Sequence, residues 1–259
     1  MKKFLTIFVS LMLVLTVLTG CARAKDTASS AEDAITQAAQ GASQSGSNSD
    51  TAAAFYSGYM EEKSVVLNRI TDGLSSNPDT VMSALSFLGA SLSDLYLFPA
   101  LYFGLGETSV STALAVMGAK DVTYDESGNQ YTVTYKDSDG HVSVLTGTYD
   151  NGKSLVCVGS MDGVDSVFSE VYRTAFGYVG QFYAIANDGT ASLYQFAFNG
   201  EDGVVGLTTG GERPAALNGS EAADFPKTAK EWYAIAGDTI TGVNAEGKAV
   251  SFEYTPTDD

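Results

Sequence analysis

Two periodicities divide the chain. Between Phe55 and Met117 the apolar residues recur at helical spacing, and from about Val122 onward they alternate with a period of two. Phe55, Tyr59, Val66, Ile70 and Leu74 share one face of a first helix, with Gly73 and Ser75-Ser76 marking its end. Asn77-Pro78 has the form of an N-cap followed by proline at the first helical position. Val81, Met82, Leu85, Leu88, Leu92 and Leu95 carry a wide apolar face onward. Pro99 removes a backbone donor, so that run breaks or kinks near Phe98. A third helix is predicted over about Thr108 to Met117, ended by Gly118.

Beyond Val122 the pattern is that of strands. Tyr131, Val133 and Tyr135 alternate with Thr132 and Thr134; Val142 and Val144 flank Ser143. Tyr194, Phe196 and Phe198 share one face, as do Val250, Phe252 and Tyr254. Turn residues separate the runs, among them Glu126-Ser-Gly-Asn129, Asp137-Ser-Asp-Gly140, Asp150-Asn-Gly152, Asn187-Asp-Gly189, Asn199-Gly-Glu-Asp-Gly203 and Asn244-Ala-Glu-Gly247. A turn signal every ten residues or so describes an antiparallel meander. Leu155-Val-Cys-Val158 is apolar on both sides of its strand, which calls for cover on both faces, one of them supplied by the helices. Val164 to Phe176 fits a strand or an amphipathic helix equally. Asp224 to Trp232 fits a short helix with Pro226 in its first turn. Tyr183-Ala-Ile-Ala186 is echoed at Tyr233-Ala-Ile-Ala236. The expected fold is α+β: a helical segment over 51–120 packed against an antiparallel meander over 121–259, a curved sheet or partial barrel, in one domain.

The apolar pattern at the N-terminus has a different meaning. Lys2 and Lys3 precede an apolar run from Phe4 to Leu18, too short for a comfortable membrane span of about 20 residues and suited to a signal peptide over 1–20. It ends in Leu18-Thr19-Gly20-Cys21, which resembles the lipobox of bacterial lipoproteins. The resemblance covers the first 21 residues. It implies that Cys21 becomes the mature N-terminus, is diacylated on its sulfur, and holds the protein on the outer side of a cell membrane. Two acyl chains anchor where one does not, each buried methylene contributing about 0.8 kcal/mol. Residues 21–50 then read as a tether, with Ser30 and Asp33 capping a weak helix through Gln40 and a Gly/Ser/Asn-rich linker from Gly41. Val81 to Leu105 holds a single charged residue, Asp94, but Ser83, Ser86, Gly89, Ser91, Ser93 and Pro99 interrupt it. It reads as a core helix hairpin rather than a span.

Charge and composition narrow the chemistry. Loss of residues 1–20 would take two of the 14 basic residues and none of the 31 acidic ones, giving a mature net charge of −19. Such a body repels nucleic acid and anionic headgroups. With Cys21 lipidated, Cys157 has no partner within the chain and reads as a buried, inert thiol. His141 is the only histidine and falls at the end of a turn, which excludes paired-histidine zinc motifs and a second Ser-His-Asp candidate. No P-loop, G-x-S-x-G, S-x-x-K, H-E-x-x-H or G-x-G-x-x-G occurs. Asp137-x-Asp139-Gly140 opens like a calcium loop but lacks its third ligand and later glutamate. No catalytic, cofactor-binding or metal-ligating residue is assigned. Aromatic residues crowd between Tyr172 and Phe198, and a curved aromatic sheet with helices across its mouth would enclose an apolar ligand. That arrangement resembles, in general layout only, the lipoprotein carriers with a half-barrel and helical lid.

The expected function is therefore a membrane-anchored extracytoplasmic lipoprotein, non-enzymatic, acting as a binding or interaction module toward an apolar ligand or a protein. Two alternatives stand beside it. One is a carrier or sensor of an apolar ligand between helices and sheet. The other is a glycan hydrolase with two carboxylates about 5–10 Å apart.

Overall fold

The computed structural model describes residues 51–186 and 188–256. Cys21, the apolar run before it and the tether after it lie outside the described residues. Three α-helices lead: α1 (Ala52–Ser76), α2 (Val81–Tyr96) and α3 (Glu107–Val116), with a 3-10 turn over Phe98–Tyr102 between the last two. Eleven strands follow: β1 (Lys120–Ser127), β2 (Gln130–Lys136), β3 (Val142–Asp150), β4 (Ser154–Met161), β5 (Val164–Arg173), β6 (Tyr178–Ile185), β7 (Ala191–Asn199), β8 (Asp202–Thr209), β9 (Glu231–Ala236), β10 (Thr239–Val243) and β11 (Ala249–Glu253). Each strand pairs antiparallel with its neighbours in sequence, and among the described residues β1 and β11 are the edges, so the sheet is an unclosed meander. The α+β architecture is the expected one.

Local chemistry sets most boundaries. Thr51 caps α1, its hydroxyl accepting from the Ala54 N–H at 3.1 Å. Gly73 does not end that helix. It lies inside α1, where an added Cβ would come within 2.3 Å of Ile240 Cδ1, so the glycine lets the helix press against β10. Asn77-Pro78 does not start the next helix either. It forms a turn in which Thr80 donates to the Leu74 and Asn77 carbonyls, and α2 begins after Thr80. Pro99 does what its ring requires: α2 stops at Tyr96 and the chain tightens into the 3-10 turn. The ambiguous stretch after Val164 is strand β5. The segment before Trp232 holds only a 3-10 turn, Phe225–Thr228. Asp162-Gly163, with φ of 51° and 80°, makes the two-residue turn joining β4 to β5.

The sheet curls around α1. Phe55 packs against Tyr149 of β3 and Tyr178 of β6, and Tyr59 against Phe198 of β7, with ring centroids 5.6, 5.7 and 6.0 Å apart. One continuous apolar core includes Tyr56, Val66 and Ile70 of α1, Phe87 of α2 and inward residues from β2 to β10. Outside the sheet, the segment from 210 to 224 folds back over β5 to β7. Leu217 seals Val179 and Ala197, and the buried Glu170 accepts from the Leu217 N–H at 2.9 Å and from Gln181 Nε2 at 2.6 Å. The apolar Leu155-Val-Cys-Val158 stretch thus has two covers. Leu155 and Cys157 face the core, while Val156 and Val158 join an outer cluster with Phe168 and Tyr183. The echoed tetrapeptides face opposite ways: Tyr183 lies in that outer cluster, and Tyr233 is fully buried in the core.

Candidate functional site

The inner face of the sheet is built in transverse rows fixed by strand register. One row runs Leu155, Val171, Gly180, Phe196, Val205 and Tyr233 across β4 to β9, and α1 fills it. Even its glycine is occupied: a Cβ on Gly180 would sit 2.9 Å from the Tyr59 hydroxyl oxygen. Four residues nearer one end of the strands, the row reads Gly159, Val167, Ala184 and Ser192. None of these side chains is larger than valine, and the space over them is walled by α2 and not by α1.

The space left open there is a cleft of about 770 Å³ between α2 and the inner face of β3 to β7. Its volume falls in the ordinary range for small-molecule sites. Gly89, Leu92, Ser93 and Tyr96 form the helical wall. Leu145, Val167, Phe182 and Tyr194 form a buried floor. The Tyr96 and Phe182 rings meet at 6.3 Å, and the Tyr194 hydroxyl donates to the Ser86 carbonyl at 3.2 Å. Burial pushes the Tyr194 hydroxyl far above the usual tyrosine range, and the Tyr96 hydroxyl also upward, so both stay protonated. The mouth is framed by the β2–β3 and β4–β5 turns and the residues just before β7. It exposes two large apolar side chains, Val164 (68%) and Ile185 (40%).

The helical wall is held by a buried ion pair. Lys63 of α1 and Asp94 of α2 are 2% and 7% exposed, with Nζ at 2.5 Å from Oδ1. Lys63 also donates to the Ala90 carbonyl at 3.0 Å and the Ser93 hydroxyl at 3.3 Å, and its ammonium sits 4.7 Å from the centre of the Phe196 ring. Burial pushes the Asp94 carboxyl up, and the Lys63 charge and hydrogen bond oppose that push. A second tie joins the other end of α2 to β9: Tyr233 donates to the Ser83 hydroxyl at 2.7 Å, and the Phe87 and Tyr233 rings meet edge-on at 5.5 Å. Glu231 lies beside this tie with its carboxyl raised by burial, Ser83 and Tyr233 acting against the rise.

His141 stands at the rim of the cleft. Its Nδ1 is 2.7 Å from Asp162 Oδ2, and the Val142 N–H donates to the other Asp162 oxygen at 3.0 Å. These bonds hold the Asp162 carboxyl below the usual range. Asp137 accepts from the Asp139 and His141 N–H groups, each at 2.9 Å, so the calcium-like stretch is a self-bonded turn. Among the described residues no three His, Cys, Asp or Glu side chains converge as metal ligands. Cys157 is buried in mid-strand, and burial pushes its thiol up to about 12.

The Lys63–Asp94 pair is absent from the sequence reading, yet it leaves a signal. Lys63 occupies an apolar face, four residues after Tyr59 and three before Val66, and Asp94 is alone in an otherwise uncharged helix. Two misplaced charges on consecutive helices imply each other.

Comparison with protein families, with curated proteins and with solved structures returns no match. No helix among the described residues is long and apolar enough to cross a membrane.

Proposed function

We propose that this chain is a lipoprotein anchored outside the cytoplasm through acyl chains on Cys21, and that its domain is a non-catalytic module that binds an apolar ligand in the cleft between α2 and the sheet. The cleft supports this reading best. It has an apolar and aromatic floor, a wall fastened to the core by a buried ion pair, and an apolar lip. The Leu18-Thr19-Gly20-Cys21 sequence supports the anchor, and the tether after it would let the mouth work clear of the membrane surface.

Native mass spectrometry and organic extraction of the full chain, purified from membranes, test both halves. The expected result is a diacyl mass on Cys21 that Cys21→Ser removes, together with a non-covalent apolar molecule released on unfolding. A protein that is always empty and takes up no apolar dye would overturn the binding role. A Cys21→Ser variant that stays in the membrane fraction would overturn the anchor.

A further inference from the structure

The walls of the cleft carry charge of one sign. Asp162, Asp165 and Asp188 stand exposed at its mouth, and among the described residues no lysine or arginine lines it. Asp188 accepts from the Thr190 N–H at 2.8 Å, which keeps its carboxyl below the usual range, as the Val142 and His141 bonds do for Asp162. The one basic side chain at the mouth, His141, is already engaged with Asp162. Behind the carboxylates lie the aromatic rings of Tyr96, Tyr135, Phe182 and Tyr194. Tyrosine and phenylalanine faces attract cations, and desolvation strengthens that attraction. An anionic headgroup entering here would meet three carboxylates and no donor cation. A positive nitrogen would meet carboxylates at the lip and ring faces behind them, with its apolar part on Leu145 and Val167.

Building on the cleft as a site for apolar ligands, we infer that its occupant is an amphiphile with a cationic nitrogen head: chain inward along α2, ammonium held at the mouth by Asp162, Asp165 and Asp188. The combination of an acidic lip, an aromatic floor and a lining without lysine or arginine among the described residues selects for charge as well as for apolarity.

Three probes of equal chain length test it against the full chain by calorimetry below their aggregation concentrations: dodecyltrimethylammonium, dodecanol and dodecanoate. The expected order has the ammonium compound at least tenfold tighter than the alcohol and dodecanoate weakest. The ammonium preference should shrink toward unity in Asp165→Asn/Asp188→Asn and in high salt. It should survive Asp150→Asn/Glu201→Gln, which removes the same charge from turns at the opposite strand ends. Equal binding of all three probes, or a preference for dodecanoate, would overturn the cationic ligand while leaving the apolar site intact. A preference lost equally in both double variants would also overturn it, because the effect would then belong to net charge and not to the mouth. Failure of all three to bind would overturn the apolar site itself.

Discussion

Two stretches of the same inner sheet face behave differently. Around α1 the row through Gly180 is filled, and the glycines there admit another side chain. Gly147 faces Phe103, whose ring an added Cβ would reach at 2.3 Å, and Gly180 faces Tyr59. A few residues along the same strands, the Gly159, Val167, Ala184 and Ser192 row meets no large partner, and α2 stands off it to leave the cleft. Small side chains have opposite consequences in the two places. Under α1 they allow close approach, and under α2 they leave room. What separates a core from a pocket here is the helix opposite, and that helix is held by the Lys63–Asp94 pair at one end and by the Ser83 and Phe87 contacts with Tyr233 at the other.

The sharpest way to break the contrast is to cut that tie. Lys63→Ala leaves the Asp94 carboxylate buried without its cation and is expected to cost about 3–5 kcal/mol in urea unfolding. The double change Lys63→Met/Asp94→Leu should recover most of the loss, because it removes both buried charges. Phe196→Ala, which opens the filled row at a fully buried ring, should cost about 3–5 kcal/mol. Gly147→Ala forces a methyl group onto Phe103 and should cost about 1–3 kcal/mol by overpacking. By contrast Ala184→Leu points into the cleft, and its effect on unfolding should stay within about 0.5 kcal/mol. If Ala184→Leu destabilises as much as Gly147→Ala, the two regions are packed alike and the contrast fails.

Titration probes what burial does in both regions, since the Tyr96 and Tyr194 hydroxyls of the cleft are raised as well. The core holds hydroxyl and thiol protons that burial retains: Tyr56 and Tyr59 are raised well above 10.0, Tyr233 is pushed to about 12, and Cys157 to about 12 from 9.0. Because folded pKa values exceed unfolded ones, the unfolded chain releases these protons first. Stability is therefore intact below pH 9 and falls as pH rises from about 9 toward 12. Urea midpoints at pH 7, 9 and 10.5 should decline in that order. Cys157 should react with a thiol reagent at pH 8 only after unfolding. Rapid native labelling would show that the covers on both sides of β4 open readily.

The fold was legible in sequence because its signals are local. Alternation in β2, β7 and β11 and the glycine-bearing turns depend on neighbours a few residues apart, and the meander follows from them. The failures were at positions decided across the molecule. Gly73 looks like a stop, but its reason is Ile240, 167 residues away. Pro78 looks like a helix start, but Thr80 makes the turn instead. A space between helices and sheet is suggested by the aromatic strands, but its place in the fold is invisible in the chain. Val167, Ala184 and Ser192 are unremarkable residues until register aligns them with Gly159 beneath α2. His141 reads as a turn residue, and its pairing with Asp162 depends on two hairpins meeting.

Titration of a solvatochromic apolar dye into the full chain and its Ala184→Trp variant bears most directly on the open row beneath α2. With equal urea midpoints for both proteins, the native chain should bind one dye saturably, and the indole that fills the cleft should weaken binding at least tenfold. Equal binding by the two proteins would place the dye elsewhere and contradict a ligand site between α2 and the sheet.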